Sequence, residues 1–188
     1  MEPERIGKLT RPRVGDILIR DRLYGVLDRV SQCPATWISS PPGSGKTVLV
    51  SSYLDHLGSP CLWYSLEQTD RDPSTFFNYV TLAVQRLLPR QKVALPAFVP
   101  EQRQDLLAFS RKYFEAVYAL APKHLVLVLD NYQEVSPIQA FHKLLSHHIQ
   151  NIPEGVRLFV ISRNHPPADL ARLIANGLCF RLGWEELR

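Results

Sequence analysis

Ser40-Pro41-Pro42-Gly43-Ser44-Gly45-Lys46-Thr47, SPPGSGKT, follows the apolar run Thr36-Trp37-Ile38 and precedes the apolar-rich VLVSSYL at 48–54. A strand, a glycine-rich turn and a helix in this order form a phosphate-binding P-loop. Gly43 and Gly45 free the backbone to curl, so that successive N–H groups point at one anion. The helix that begins near Gly45 adds the partial positive charge of its N-terminus. In this reading Lys46 reaches the β- and γ-phosphates and Thr47 offers a hydroxyl to Mg²⁺. Pro42, Gly43, Ser44, Gly45, Lys46, Thr47 and Val48 are the residues expected to line ATP or ADP. One position departs from the pattern GxxxxGK[ST]: Ser40 stands where its first glycine belongs. A Gly/Pro-rich surface turn is the competing reading, but strand, loop and helix context agree on the P-loop.

Working outward, HLVLVLDN at 124–131 is a continuous apolar run, Leu125 to Leu129, that ends in Asp130. Such a run suits a strand buried on both faces of a parallel sheet. A carboxylate at its C-terminal end sits where α/β sheets bind ligands. This is the Walker B arrangement, with Asp130 holding Mg²⁺ directly or through water. Thr47 and Asp130 are therefore the expected metal residues.

The remaining chain alternates strands with amphipathic helices. Asp21 to Val30 places Leu23, Val26, Leu27 and Val30 on one helical face. A helix runs from about Lys46 to His56 and ends near Gly58. A strand follows at 61–66. Asp72-Pro73 is a cap with an N1 proline, opening a helix that carries Phe76, Phe77, Val80, Val84, Leu87 and Leu88. Residues 89–100 read as a proline-punctuated linker, Glu101 to Leu120 as one helix, and Ser136-Pro137 as the start of another. Strands are expected at 156–162 and 178–182, with a helix near 168–175 between them. Five strands joined by helical crossovers predict an α/β fold, a three-layer αβα sandwich around a five-stranded parallel sheet. The expected organisation is an N-terminal segment and helix flanking the pocket at 1–35, the P-loop NTPase domain at 36–183, and the start of a further, truncated helix at 184–188.

Composition agrees with one globular domain: 188 residues, 45% hydrophobic and 21% charged. No run approaches the roughly 18 apolar residues of a membrane span, and MEPERIGKLTRPR lacks the apolar centre of a secretory signal. The expected location is cytoplasmic. Cys33, Cys61 and Cys179 are far apart and read as reduced core residues. The net charge is +4, with Lys8, Arg11, Arg13, Arg20 and Arg22 concentrated near the N-terminus. These bases suit a nucleic-acid arm, a solvated segment or a wall of the nucleotide pocket, and no nucleic-acid-binding signature accompanies them.

The whole chain resembles the nucleotide-binding domain of MalT-like, LuxR-family transcription regulators, in the STAND class of P-loop NTPases within the AAA+-related lineage. The resemblance is carried in order by KLTRPR, IRDRL at 19–23, SPPGSGKT, WYSLEQTDRDPSTFFNYV at 63–80, LVLDNYQEV at 127–135 and FVISRNHPP at 159–167. It implies that Arg163 senses the terminal phosphate, which suits a permanently charged, bidentate guanidinium. It implies that Ile19 and Arg20 pack by the adenine. It further implies an ADP/ATP switch, self-association on activation, an inducer bound by a sensor domain, and DNA bound by a helix-turn-helix domain, both domains lying outside these residues.

Asn131 departs from the related NTPases, which usually place a second acid after the Walker B aspartate to activate water. Asparagine cannot take that proton, and loss of a general base costs roughly 10²–10⁴-fold in rate. The catalytic set Lys46, Asp130, Asn131 and Arg163 therefore predicts tight ATP binding with slow hydrolysis. Glu134, Glu67, Asp70 and Asp72 are substitute bases or simply solvated acids. Two further readings stay open: a P-loop kinase of a small molecule or nucleotide, and a degenerate, non-catalytic nucleotide-binding module.

Overall fold

The computed structural model describes residues 6–15 and 20–187; Ile19 lies outside the described residues. Five strands form one parallel sheet: β1 (Ala35–Ser39), β2 (Cys61–Ser65), β3 (Val126–Asp130), β4 (Arg157–Ser162) and β5 (Cys179–Leu182). Their order is β2-β3-β4-β1-β5, so β4 lies between the P-loop strand and the strand that ends in Asp130. The helices are α1 (Asp21–Arg29), α2 (Lys46–Leu57), α3 (Pro73–Leu87), α4 (Leu106–Leu120), α5 (Gln139–Gln150), α6 (Ala171–Ala175) and α7 (Trp184–Leu187).

Side-chain alternation along the strands builds two cores. Ala35, Trp37, Leu62, Tyr64, Leu127, Leu158 and Val160 face one side, where they meet Phe76 and Phe77 of α3, Tyr113 and Phe114 of α4, and Phe141 and Leu145 of α5. Ile38, Trp63, Val126, Val128, Phe159 and Ile161 face the other, against Leu23 and Leu27 of α1 and Leu49, Val50 and Tyr53 of α2. Both faces of the strands are covered, which is why they read as unbroken apolar runs. By the same period, Asp130 shares the face of Val126 and Val128, toward α2.

Local chemistry sets the helix ends. Asp72 accepts the Ser74 backbone N–H at 2.7 Å with Pro73 in the first turn of α3, and Gly58, in left-handed backbone at φ 61°, closes α2. Two boundaries differ from expectation. Residues Pro100–Asp105 form a 3₁₀ turn, and α4 starts afresh because Asp105 caps it by accepting the Ala108 N–H at 3.2 Å. The helix expected at Ser136 begins instead at Gln139, after a 3₁₀ turn at Tyr132–Glu134. The 89–100 stretch is coil, yet it is no free linker, since Phe98 stacks on Phe77 with centroids 5.6 Å apart.

The basic N-terminal segment is committed to the body of the protein. Lys8 Nζ lies 2.8 Å from Asp70, itself fully buried, and 3.3 Å from Glu67. Its ammonium also sits 3.8 Å from the centre of the Tyr79 ring. Arg11 pairs with Asp55, and Ser51 Oγ donates to the Pro12 carbonyl at 2.7 Å. All three cysteines are free thiols; Cys179 is buried, whereas Cys33 and Cys61 are only half-buried rather than core. Among the described residues no helix is long and apolar enough to cross a membrane.

Candidate functional site

The loop between β1 and α2 holds two glycines in left-handed backbone, Gly43 at φ 78° and Gly45 at φ 81°, a region that costs an L-residue roughly 1–2 kcal/mol. Ser40 is absent from the positive-φ residues. A side chain therefore fits where the motif's first glycine would stand, and the Ser40 hydroxyl spans the loop to that of Ser44. The N–H groups of residues 43–48 find no acceptor among the described residues; the first bond into α2 is Leu49 N–H to Gly45 O at 2.8 Å. A concave row of unpaired donors at a helix N-terminus fits an anion.

Lys46 is buried at 8% exposure. Its ammonium donates to the carbonyls of Ser40 at 2.7 Å and Pro41 at 2.9 Å, and to Ser44 Oγ at 3.3 Å. Burial lowers its pKa, the positive charge of Arg163 lowers it further, and Asp130 opposes both. Arriving phosphate charge would favour the protonated amine. Thr47 Oγ1 lies 3.3 and 3.4 Å from the two Asp130 carboxylate oxygens. Burial raises the Asp130 pKa, against the Asn131 N–H at 2.9 Å, the Thr47 hydroxyl and Lys46. Among the described residues no three His, Cys, Asp or Glu side chains cluster as a metal cage. One carboxylate and one hydroxyl fit Mg²⁺, which characteristically retains water and phosphate ligands.

The structure thus brings Lys46, Thr47, Asp130 and Asn131 together at the C-terminal ends of β1 and β3, with Arg163 just beyond β4. Pro42 and Gly43 form the exposed rim, and Ser44 and Gly45 its inner side. Val48 is 41% exposed. Arg20 lies beside the loop, its Nη2 3.6 Å from where a Gly45 Cβ would be, while Nη1 donates to the Leu187 carbonyl at 3.0 Å. Two of the four acidic candidates are otherwise employed. Asp70 is not a solvated acid: besides Lys8, it accepts Tyr64 OH at 2.7 Å and the Glu67 N–H at 2.8 Å. Asp72 caps α3 and pairs with Arg103 at 2.7 Å, and the Ser74 hydroxyl and Arg103 hold its pKa down at about 2.

Sequence reasoning missed Gln133. Its Nε2 donates to Asn131 Oδ1 at 3.2 Å and its Oε1 accepts the Arg163 backbone N–H at 3.1 Å. A lone glutamine in a turn carries no pattern; only the adjacency of β3 and β4 reveals it.

Comparison with known proteins bears on the fold and the family. The HTH-type transcriptional regulator MalT of Yersinia enterocolitica is 30% identical over 183 residues, covering 96% of this chain and 20% of that protein. The MalT of Vibrio cholerae is 30% identical over 192 residues with the same coverages. The chain spans about a fifth of the length of these curated relatives. Among solved structures, the Walker-type ATPase paby2304 of Pyrococcus abyssi matches with a TM-score of 0.57 at 12% identity, over 89% of this chain and 53% of that one. The Orc1 protein of Aeropyrum pernix, solved in complex with DNA, matches with a TM-score of 0.55 at 16% identity, over 90% and 46%. At these identities the structures establish the fold. The family model described as Nephrocystin 3, N-terminal, matches residues 15–163, and the chain belongs to that family.

Proposed function

We propose that this chain is the nucleotide-binding switch module of a transcription regulator similar to MalT, taking ATP or ADP with Mg²⁺ and hydrolysing ATP slowly. The observation that carries this reading is the meeting of Thr47, the first hydroxyl of the glycine-loop helix, with Asp130 at the end of buried strand β3, two strands from β1. The unpaired N–H groups of 43–48 would bind the phosphates, and Lys46 would exchange its loop carbonyls for phosphate oxygens. Thr47 and Asp130 would hold Mg²⁺, which when bound neutralises phosphate charge. Arg163, whose charge reaches Lys46, would read the terminal phosphate and so separate ATP from ADP. Asn131 cannot accept a proton, and Asp70 and Asp72 are occupied as described, which supports binding without brisk turnover. Arg20, between Gly45 and Leu187, would border the nucleotide. Self-association on activation, an inducer and DNA contact through a helix-turn-helix domain are proposals from the likeness to MalT.

Calorimetry with ATP, ADP and a non-hydrolysable analogue in Mg²⁺, with phosphate release followed on the same sample, tests this. Saturable binding that Lys46→Ala weakens by ten- to a hundredfold, as expected for lost charge-assisted hydrogen bonds of about 1.5–3 kcal/mol, would support it. A folded wild-type chain that binds neither nucleotide, or a Lys46→Ala chain that binds as well, would refute it.

A further inference from the structure

Asn131 stands at the corner after β3 in left-handed backbone, φ 58°. From there the turn Tyr132–Glu134 leads away from the sheet. The β3–β4 ladder ends at the pair Leu129 and Val160. Beyond it no backbone bond among the described residues ties Arg163 to β3. The tie is made instead by one side chain, Gln133, through the 3.1 Å contact to the Arg163 N–H and the 3.2 Å contact to Asn131 Oδ1.

The orientation of this amide follows from its partners. The Arg163 backbone N–H can only donate, so the Gln133 oxygen must face it and the Gln133 nitrogen must face Asn131. Asn131 must then present its own oxygen to Gln133, and its NH₂ is left without a partner among the described residues. The turn that carries Gln133 is fixed from both sides. Arg71 Nε donates to the Glu134 carbonyl at 2.7 Å, and Tyr132 OH lies 3.0 Å from His142 Nδ1. Tyr132 is buried. A side chain on so anchored a turn transmits position rather than absorbing it.

We propose that Gln133 is a positioning residue of the nucleotide site: it holds Arg163 beside the phosphate loop and turns Asn131 into a hydrogen-bond donor. This rests on the nucleotide-binding reading above. It deepens that reading by assigning the discrimination of triphosphate from diphosphate to a pair, Gln133 and Arg163, rather than to the arginine alone. It also gives Asn131 a role that an acid could not fill, since a carboxylate has no N–H to offer.

The test is the ratio of ATP to ADP affinity of the whole chain in Mg²⁺, for wild type, Gln133→Met, Gln133→Glu, Arg163→Ala and the Gln133→Met/Arg163→Ala pair. Methionine keeps the length and removes both hydrogen-bonding functions. It should weaken ATP binding about fivefold, the scale of a lost hydrogen bond, leave ADP binding unchanged, and add nothing once Arg163 is alanine. Glutamate still accepts the Arg163 N–H but draws the Asn131 NH₂ to itself, so Gln133→Glu should keep the Arg163 tie, lose the Asn131 donor, and show an ATP preference between those of wild type and Gln133→Met. A wild-type ratio in Gln133→Met would overturn the proposal. So would equal losses for both nucleotides, or additive losses in the paired variant. If the wild-type chain binds neither nucleotide, the nucleotide reading falls before any variant is compared, and this proposal falls with it.

Discussion

Asn131 combines a backbone that few side chains tolerate with a head group that cannot act as a base. Asparagine and aspartate both enter left-handed backbone more readily than other residues, because a short polar side chain can bond locally. Asn131→Asp should therefore fold without strain. A carboxylate there could still accept from Gln133 and would supply the missing proton acceptor. We expect ATP turnover to rise by at least tenfold, toward the ~10²–10⁴-fold value of a general base, while ATP affinity falls about fivefold for want of the Asn131 N–H. Phosphate release that stays at the wild-type rate would show that Asn131 is not what limits the reaction. At this scale the turn of the glycine loop and the places of Thr47 and Asp130 were legible, because they are bound to a local pattern of strand, turn and helix. The tolerance of Ser40 was not, since it depends on a φ angle. Gln133 was not either, since its partners are brought together by strand pairing.

Within α5, His148 is buried and lies 3.0 Å from Tyr118 OH, its ring 4.0 Å from that of Phe114. Burial, with a smaller push from His147, lowers its pKa from 6.5 to about 3. Between those values the unfolded chain binds a proton that the native helix excludes, so stability falls as pH falls through this window. The slope is about 1.4 kcal/mol per pH unit from this residue. In urea unfolding, wild type should lose about 2 kcal/mol more than His148→Gln between pH 6.5 and pH 5. Parallel pH profiles would count against this assignment. The same helix shows how far element boundaries could be read. Its existence was legible, and it buries Phe141, Leu144 and Leu145 in the core. Its start was not, because Ser136-Pro137 resembles a helix opening while the chain is still held in the turn that follows Asn131. Likewise the restart at Asp105 hides inside an amphipathic pattern that runs on through Pro100–Asp105.

For the molecule as a whole, the N-terminal segment closes over the edge of the sheet at β2 and over α2 through Lys8, Arg11 and Pro12. Lys8 is the one cation on Asp70 among the described residues, and both side chains are nearly or wholly out of water. Lys8→Met should destabilise the fold by about 3–5 kcal/mol, because it leaves a buried carboxylate unpaired. Lys8→Met/Asp70→Asn should recover part of that loss. Denaturant midpoints of the two variants decide it, and a single variant as stable as wild type would refute the claim. The parallel sheet and its two helical layers were legible because runs buried on both faces, spaced by amphipathic helices, have few other solutions. The order of the strands was not legible, since nothing in a strand's own sequence names its neighbour.

That order has a metrical consequence. With β4 inserted between β1 and β3, Thr47 and Asp130 are mounted on supports two strand spacings apart, about 10 Å. The gap between Thr47 and Asp130 is thus ruled by a strand that supplies neither residue. Phe159, fully buried on the α2 side of that strand and edge-on to Tyr53 of α2, sets how far the helix carrying Thr47 stands from the sheet, so a change of volume there would be read out between Thr47 and Asp130 as an error of length.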